Sequence, residues 1–427
     1  MLDIRFVREN VDIVKADLKK RNDLGKLEWA DDLIAKDKEY RGLLGEVERL
    51  RNSRNVISEE INKLRKEGKD ISGKVKEARE LPEKIRQGDE RINELKDKIV
   101  FYLMRIPNIL DKSVPVGKDS SDNKVLRKVG EIKKFAFDLK GHGELIESLG
   151  MGDFEQAAKV SGKGFYYLIG DLALMEVALQ KFAIDLLTKR GYKLVEPPLM
   201  LRRKPYEGVT DLGDFETMMY KIQDEDLYLI ATSEHPIAAL YMGKVFNEGE
   251  LPLRYCGLSA CFRKEIGSHG IDEKGLFRVH QFNKIEQFIF CKPEDSRKFH
   301  EELIKNAEDI FKKLKLPYRV VSICTGDIGT VAAKKYDLEA YMPREKEYKE
   351  VVSCSNCTSY QAVRLNVKYA KGDAKEYVHT LNSTAIATGR ALRAIVENYQ
   401  QKDGSIKVPA VLVPYMNGVK VIGKKKR

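Results

Sequence analysis

Apolar positions in the first quarter of the chain recur every three or four residues. Tyr40, Leu43, Val47, Leu50, Ile57, Ile61 and Leu64 keep that spacing, with Arg54 as the one charged interruption. After a break over 66–73 it resumes with Val75, Ala78, Ile85, Ile92, Leu95 and Ile99. The pattern predicts an antiparallel helical hairpin. Tyr40 to Leu64 alone would span roughly 36 Å at the helical rise, so the hairpin is expected to project beyond a globular body. Pro82 in the returning helix is expected to kink it or delay its start. Met1 to about Lys26, with Phe6, Val11, Val14 and Leu18 at helical spacing, reads as a helical lead-in. From Phe101 to about Lys134 the period is lost, and Pro107, Pro115, Gly117 and a DSSDN run read as a linker.

Downstream, the period changes. Phe165 to Ile169 reads as a β segment, Leu172 to Arg190 as a long amphipathic helix, and Tyr192 to Val195 as a strand ended by Pro197 and Pro198. Leu227 to Ala231 is an apolar strand that delivers Thr232, Ser233, Glu234 and His235 at its end. Thr232 to Glu234, ahead of Pro236, also reads as a helix N-cap. The richest stretch is Cys261 to Glu286, CFRKEIGSHGIDEKGLFRVHQFNKIE. It predicts two antiparallel strands joined by a turn bearing Gly267, Gly270 and Gly275. Alternation puts Arg278, His280 and Phe282 on one face and Val279 and Gln281 on the other. If the pair folds back, Arg263 and Glu265 come near Arg278 and Phe282. Two guanidiniums for phosphates, a carboxylate for an exocyclic amine and a ring to stack on a base together suit ATP. Spacing alone allows, equally, a surface hairpin with a charged solvent face. Near the end, Gly389 and Arg390 open a helix running to Tyr399. Its backbone donors and guanidinium suit an anion, and a surface helix arginine is the ordinary alternative.

Composition narrows the classes. A chain of 427 residues is comfortable for two domains, and a net charge of +11 with 33% charged residues favours a polyanionic partner. The same Lys and Glu load would suit a heat-adapted soluble protein. No apolar run reaches the roughly 18 residues of a membrane span, and MLDIRFVREN lacks the apolar core of a signal peptide, so a cytoplasmic protein without a membrane is expected. Six cysteines make no disulfide framework. Cys354 and Cys357 form one CxxC, but Cys256 and Cys261 stand too far away to complete a zinc site, so reduced thiols and no structural zinc are expected. On the hairpin, Arg49, Arg51, Arg54, Lys63, Arg65, Lys66 and Lys69 cluster toward the tip with glutamates interleaved. That suits a grip on phosphates, and a dimerisation coiled coil remains the alternative.

The FRKE, loop, FRVHQF series resembles the second signature motif of class II aminoacyl-tRNA synthetases. TAIATGRALRAIVENYQ (Thr384 to Gln400) resembles the third motif and LTKRGYKLVEPPLM (Leu187 to Met200) the first. The hairpin together with GDFEQAAKVSGKGFYYL, TSEHP and EVVSCSNCTSYQAVR resembles the seryl-tRNA synthetases of bacterial-type architecture, over essentially the whole chain. The resemblance implies an α+β fold, a class II antiparallel sheet flanked by helices behind a helical-hairpin arm. The implied limits are 1–108 for a tRNA-binding arm, 109–134 for a linker and 135–427 for the catalytic domain.

It implies activation of L-serine by ATP with Mg²⁺, transfer to tRNA(Ser) and also tRNA(Sec), and a homodimer. ATP would meet Arg263, Lys264, Glu265, Arg278, Val279, Phe282, Glu350, Val351, Val352, Ser353 and Arg390, with Arg263 and Arg390 catalytic. Glu350 and Ser353 would hold the Mg²⁺. Serine would meet Thr232, Ser233, Glu234, Arg263, Glu286 and Thr384. The chain departs from the family pattern at Ser233, where alanine is commoner, and at Thr384, where serine is usual. It departs also at Val352, Ser359 and Val363, in place of Ser, Asp and Arg. Only a short tail follows Tyr399, too short for a C-terminal anticodon-binding domain, which leaves tRNA recognition to the arm and the active-site face. A carrier-protein aminoacyl ligase and a catalytically silent RNA-binding relative are the rival readings.

Overall fold

Helices Leu27–Lys66 and Ser72–Arg105 form the hairpin that the three-and-four spacing predicts. The computed structural model describes residues 1–210, 217–265 and 275–423. Within them are two compact units: one covers Leu2–Pro107, the other Asn108 onward together with Met1.

In the first unit, Val47, Ile57, Leu81, Ile85, Leu95 and Ile99 form the buried seam between the helices. At Gly88 the backbones come so close that a Cβ there would lie 2.4 Å from Val47 Cγ2. Pairs across the hairpin reinforce the register: Arg51 donates to both carboxylate oxygens of Asp89 at 2.8 Å, and Arg91 reaches Glu39. Nearer the base, Trp29 packs on Phe101 and Tyr102, and the Tyr102 hydroxyl donates to Asp32. Between the helices, Gly68 takes φ of +66°, a conformation glycine adopts without strain, and Asp70 accepts from the Ser72 amide. Pro82 does not delay the returning helix, which is already ten residues long when it arrives. Arg51 is committed to Asp89, Lys69 to Glu67 and Lys74 to Glu60, so part of the basic side is internally neutralised.

The second unit is built on one sheet whose strands are numbered here in chain order: β1 (Lys124–Val129), β2 (Lys193–Val195), β3 (Leu253–Phe262), β4 (Gln281–Cys291), β5 (Tyr318–Ser322), β6 (Lys334–Met342), β7 (Glu347–Asn356) and β8 (His379–Ala387). Their spatial order is β1-β5-β6-β7-β8-β4-β3-β2, with every pairing antiparallel except the short β2 beside β3. The α+β expectation is met. One face carries helices Asp171–Thr188, Ser296–Lys313 and Thr388–Tyr399, whose Leu179, Phe182, Phe299, Leu303, Leu392 and Ile395 pack with Ile285 and Ile289 of β4. On the other face an aromatic core of Tyr206, Phe246, Tyr255, Phe288, Phe290 and Tyr369 closes one end of the sheet.

Three local readings need correction. The strand pair is shorter at this end than FRKE and FRVHQF suggest: β3 ends at Phe262 and β4 begins at Gln281, so Arg263 to Glu265 and Phe277 to His280 extend beyond the paired ends. Alternation therefore does not reach Arg278 or His280, and Gly267 and Gly270 lie outside the described residues. Within the stretch that showed no element, β1 pairs with β5 as an exposed edge strand. The residues after Tyr399 are more than a tail, since Ile406, Leu412 and Met416 are fully buried in the main core. Among the described residues no helix is long and apolar enough to cross a membrane.

Gly88→Leu should drive a side chain into Val47 and destabilise the hairpin, and overpacking of this kind costs about 1–3 kcal/mol. Limited proteolysis of the full chain should then cut within 27–105 sooner than in the parent. Adding Val47→Ala to make room should restore most of the resistance.

Candidate active site

Strand β4 supplies the floor. Its even-numbered residues share one face: Phe282, Lys284 and Glu286 line a cavity of about 430 Å³, and Phe288 and Phe290 continue the same face into the aromatic core. Strands β7 and β8 supply a wall, where two bulges alter what alternation would deliver. Register shifts between Leu338 and Glu339, leaving Val351 as the extra residue of β7, so that Glu350, Val351 and Ser353 all line the cavity. A second shift, between Thr384 and Ile386, sets Thr384 opposite Glu286 and lets the chain turn into the helix that begins at Thr388 and carries Arg390.

At one end of the cavity the charge is acidic and buried. Glu286 is 2% exposed, and its Oε2 lies 2.5 Å from Lys284 Nζ. The same ammonium donates to Thr232 Oγ1 at 2.7 Å, and the Thr384 hydroxyl lies 3.4 Å from Glu286. Glu234 Oε1 accepts from Gln361 Nε2 at 2.8 Å and from Asn382 Nδ2 at 3.0 Å. Burial, aided by repulsion from Glu286, pushes the Glu234 carboxyl up to about 7. Burial also raises Glu286, with Lys284 pulling the other way. Two carboxylates share one internal ammonium here, and Arg263 acts on both more weakly than Lys284 does. His235, beside it, is held neutral by burial, its pKa lowered to about 3.

Cations gather at the other end. Arg390 Nη1 donates to the Glu350 carbonyl at 3.0 Å and lies 3.4 Å from its carboxylate, whose side chain is 44% exposed. Desolvation alone would raise Glu350, but Arg390, Lys335 and Arg263 together hold it below the ordinary carboxylate value. The Arg263 guanidinium stands 5.4 Å from the Phe282 ring centre, and Arg390 lies over Phe277 at 4.8 Å.

Of the residues singled out from sequence, Arg263, Glu265, Val279, Phe282, Glu350, Val351, Ser353, Arg390, Thr232, Glu234, Glu286 and Thr384 line the cavity. Four do not. Val352 is in the main core, and Ser233 is fully buried against Gly257, which it approaches because glycine leaves the space. Lys264 turns to the Tyr220 ring, and Arg278 is 48% exposed with its Nε 4.0 Å from Glu265. His280 stacks on Phe165 and bonds the Tyr220 hydroxyl, away from the cavity. Sequence reasoning missed Lys284, Lys335, Gln361 and Asn382. Lys284 was within reach of it, lying midway between Phe282 and Glu286 on an alternating strand. Gln361 and Asn382 enter only through tertiary contact. Cys354 and Cys357 are buried thiols raised by desolvation.

An antiparallel sheet bearing an arginine at the end of β3, a stacking ring on β4 and a second arginine on the helix after β8 defines the class II aminoacyl-tRNA synthetase core. The family model described as "tRNA synthetase class II core domain (G, H, P, S and T)" matches residues 218–399. The model of the seryl-tRNA synthetase N-terminal domain matches residues 1–110. A serine–tRNA ligase of Methanocella arvoryzae is 61% identical over 425 residues, 99% of this chain and 100% of the relative. The crystal structure of seryl-tRNA synthetase from Pyrococcus horikoshii complexed with ATP aligns with TM-score 0.93 and 48% identity, covering 99% of both chains. That of the cytoplasmic serine–tRNA ligase of Naegleria fowleri in complex with AMP aligns with TM-score 0.88 and 39% identity, over 100% of this chain and 99% of that one. The chain belongs to the seryl-tRNA synthetase family.

Because the Glu234 carboxyl titrates higher when folded than unfolded, its ionisation opposes folding. The penalty is absent below the ordinary glutamate value, grows as pH rises, and is complete above about 7. Glu234→Gln keeps an acceptor for Gln361 and Asn382 and removes the charge. Calorimetry should find the variant a few degrees more thermostable than the parent at pH 8 and nearly equal to it at pH 4.5.

Proposed function

We propose that this protein activates L-serine with ATP to seryl-adenylate and pyrophosphate, then transfers the seryl group to tRNA(Ser) and also to tRNA(Sec). The observation that carries the reading is the polarity of the cavity. A buried pair of carboxylates with one internal ammonium shares one cavity with Arg263 and Arg390.

In this reading the serine ammonium supplies the missing positive charge between Glu234 and Glu286, Thr232 accepts from it, and Lys284 holds Thr232 and Glu286 in place. Glu286 and Thr384 receive the serine hydroxyl. Alanine, lacking that group, leaves buried acceptors unpaired, which is how such a site discriminates. Arg263 bridges the serine carboxylate and the α-phosphate, Phe282 stacks on adenine, Glu265 takes the exocyclic amine, and Val279 and Val351 close that pocket. Arg390 holds the terminal phosphate. Lys264, Arg278, Ser233 and Val352, off the cavity, act through these neighbours. The serine carboxylate is ionised at neutral pH and attacks the α-phosphorus without a general base. The protein's contribution is alignment and stabilisation of the charge on the phosphates. Glu350 and Ser353 offer a carboxylate and a hydroxyl on one wall, a donor set that fits Mg²⁺ with its waters and phosphate oxygens. When bound, the ion neutralises polyphosphate charge.

For the arm, exposed Arg49, Arg54, Lys63, Arg65 and Lys66 support contact with an RNA backbone. Exposed apolar Val177, Leu194, Leu199 and Met200 support a homodimer. Both roles, and a cytoplasmic location beside the tRNA pool, belong to the proposal.

Amino-acid-dependent ATP–pyrophosphate exchange should proceed with serine and be weaker by at least about 100-fold with alanine or glycine, the scale of one unpaired buried group. Exchange favouring another amino acid would overturn the reading of the acidic end. Replacing 50–78 by a short turn should leave exchange within about 2-fold and abolish tRNA charging. Loss of both activities would contradict the division of labour.

A further inference from the structure

Lys335 lines the cavity on the wall that carries Glu350 and Ser353, yet the nucleotide and serine contacts proposed above do not use it. It lies on β6 directly opposite Ser355, and Asp337, two residues on, lies opposite Ser353. Directly opposed residues of an antiparallel pair point to the same face, so Lys335 and Asp337 face the cavity side of the sheet. The Lys335 ammonium is 3.3 Å from Asp337 Oδ2, and its side chain is 21% exposed. Burial would lower its pKa, but Asp337 and Glu350 reverse that, and it stays cationic. Asp337 is 6% exposed, and its Oδ1 has no hydrogen-bond partner among the described residues.

A half-buried lysine that reaches an open cavity, tethered by a carboxylate using only one oxygen, is held in position with donors left over. An ammonium has three, and the Asp337 contact occupies one. Around it the charges are unbalanced in the same sense. Arg263, Arg390 and Lys335 all act on Glu350, which like them lines the cavity. Three cations converging on one exposed carboxylate make a site for a multiply charged anion.

We propose that Lys335 is a further polyphosphate-binding residue, contacting the phosphates that leave as pyrophosphate, and that Asp337 is the positioning residue that aims it. The inference deepens the proposed function and rests on it. Lys335 would not touch the base, the ribose or the amino acid. Its contribution would appear only with ligands that carry the outer phosphates.

The test compares ATP and AMP binding to the full-length protein, together with serine-dependent pyrophosphate exchange. Hydrogen bonds to charged groups contribute about 1.5–3 kcal/mol, so Lys335→Met should weaken ATP and raise the KM for pyrophosphate about 10- to 100-fold. AMP affinity and the KM for serine should stay within about 2-fold, and Lys335→Arg should recover most of the ATP affinity. Because Lys335→Met strands a buried carboxylate, the double variant Lys335→Met with Asp337→Asn controls for folding, and it should show the same selective loss. Equal losses for ATP and AMP, or no loss for either, would overturn the proposal. An absence of exchange in the parent would instead overturn the proposed function.

Discussion

Two carboxylates, Glu234 and Glu286, are buried around a single lysine, and much of the second unit answers to that charge arrangement. Isolated buried carboxylates are expensive, and proteins keep them when they are hydrogen-bonded or await a partner. Lys284, Thr232, Thr384, Gln361 and Asn382 supply the bonds from three elements and a loop, so the sheet order must bring them together. What they do not supply is a second cation. Burial first, and repulsion from Glu286 second, raise the Glu234 carboxyl. In the proposed reading the deficit is the amino-acid site, left open for an ammonium.

The opposite end of the cavity reverses the logic, with cations outnumbering the exposed carboxylate. Both ends hang on one structural device, a pair of bulges in β7 and β8. Without the bulge at Val351, strict alternation would turn Glu350 away from the face that carries Ser353 and Ser355. The second bulge, at Ala385, lets β8 present Thr384 and then give way to the helix bearing Arg390. A small local irregularity thus allows one sheet to address two ligand chemistries at once, as bulges beside active sites commonly do.

Much of this was legible in the residues. The hairpin seam appeared as a repeat because a helix pair needs its apolar residues at three-and-four spacing, and Val47, Ile57, Ile85, Leu95 and Ile99 of that repeat are buried, while Leu81 and Gly88 of the seam were not in it. The class and family followed from three motifs in order, and twelve of the named residues meet in one cavity. What was illegible has physical reasons. The edge strand β1 is exposed along nearly its whole length, so burial left no alternation to read. Strand limits around FRKE and FRVHQF depend on where pairing stops. Neither bulge has a composition signal, and Gln361 and Asn382 are ordinary polar residues until the fold places them on Glu234. Lys284 alone was readable and overlooked, since it shares its strand face with Phe282 and Glu286.

The central claim is that the acidic end is built one positive charge short so that an amino-acid ammonium can complete it. Calorimetric titration near pH 7 with a stable sulfamoyl analogue of seryl-adenylate, repeated in buffers of different ionisation enthalpy, measures the protons exchanged on binding. Arrival of the ammonium should favour the ionised form of Glu234, so the account predicts proton release by the parent and little or none by Glu234→Gln. Binding without proton exchange in the parent, or equal release from both proteins, would contradict it.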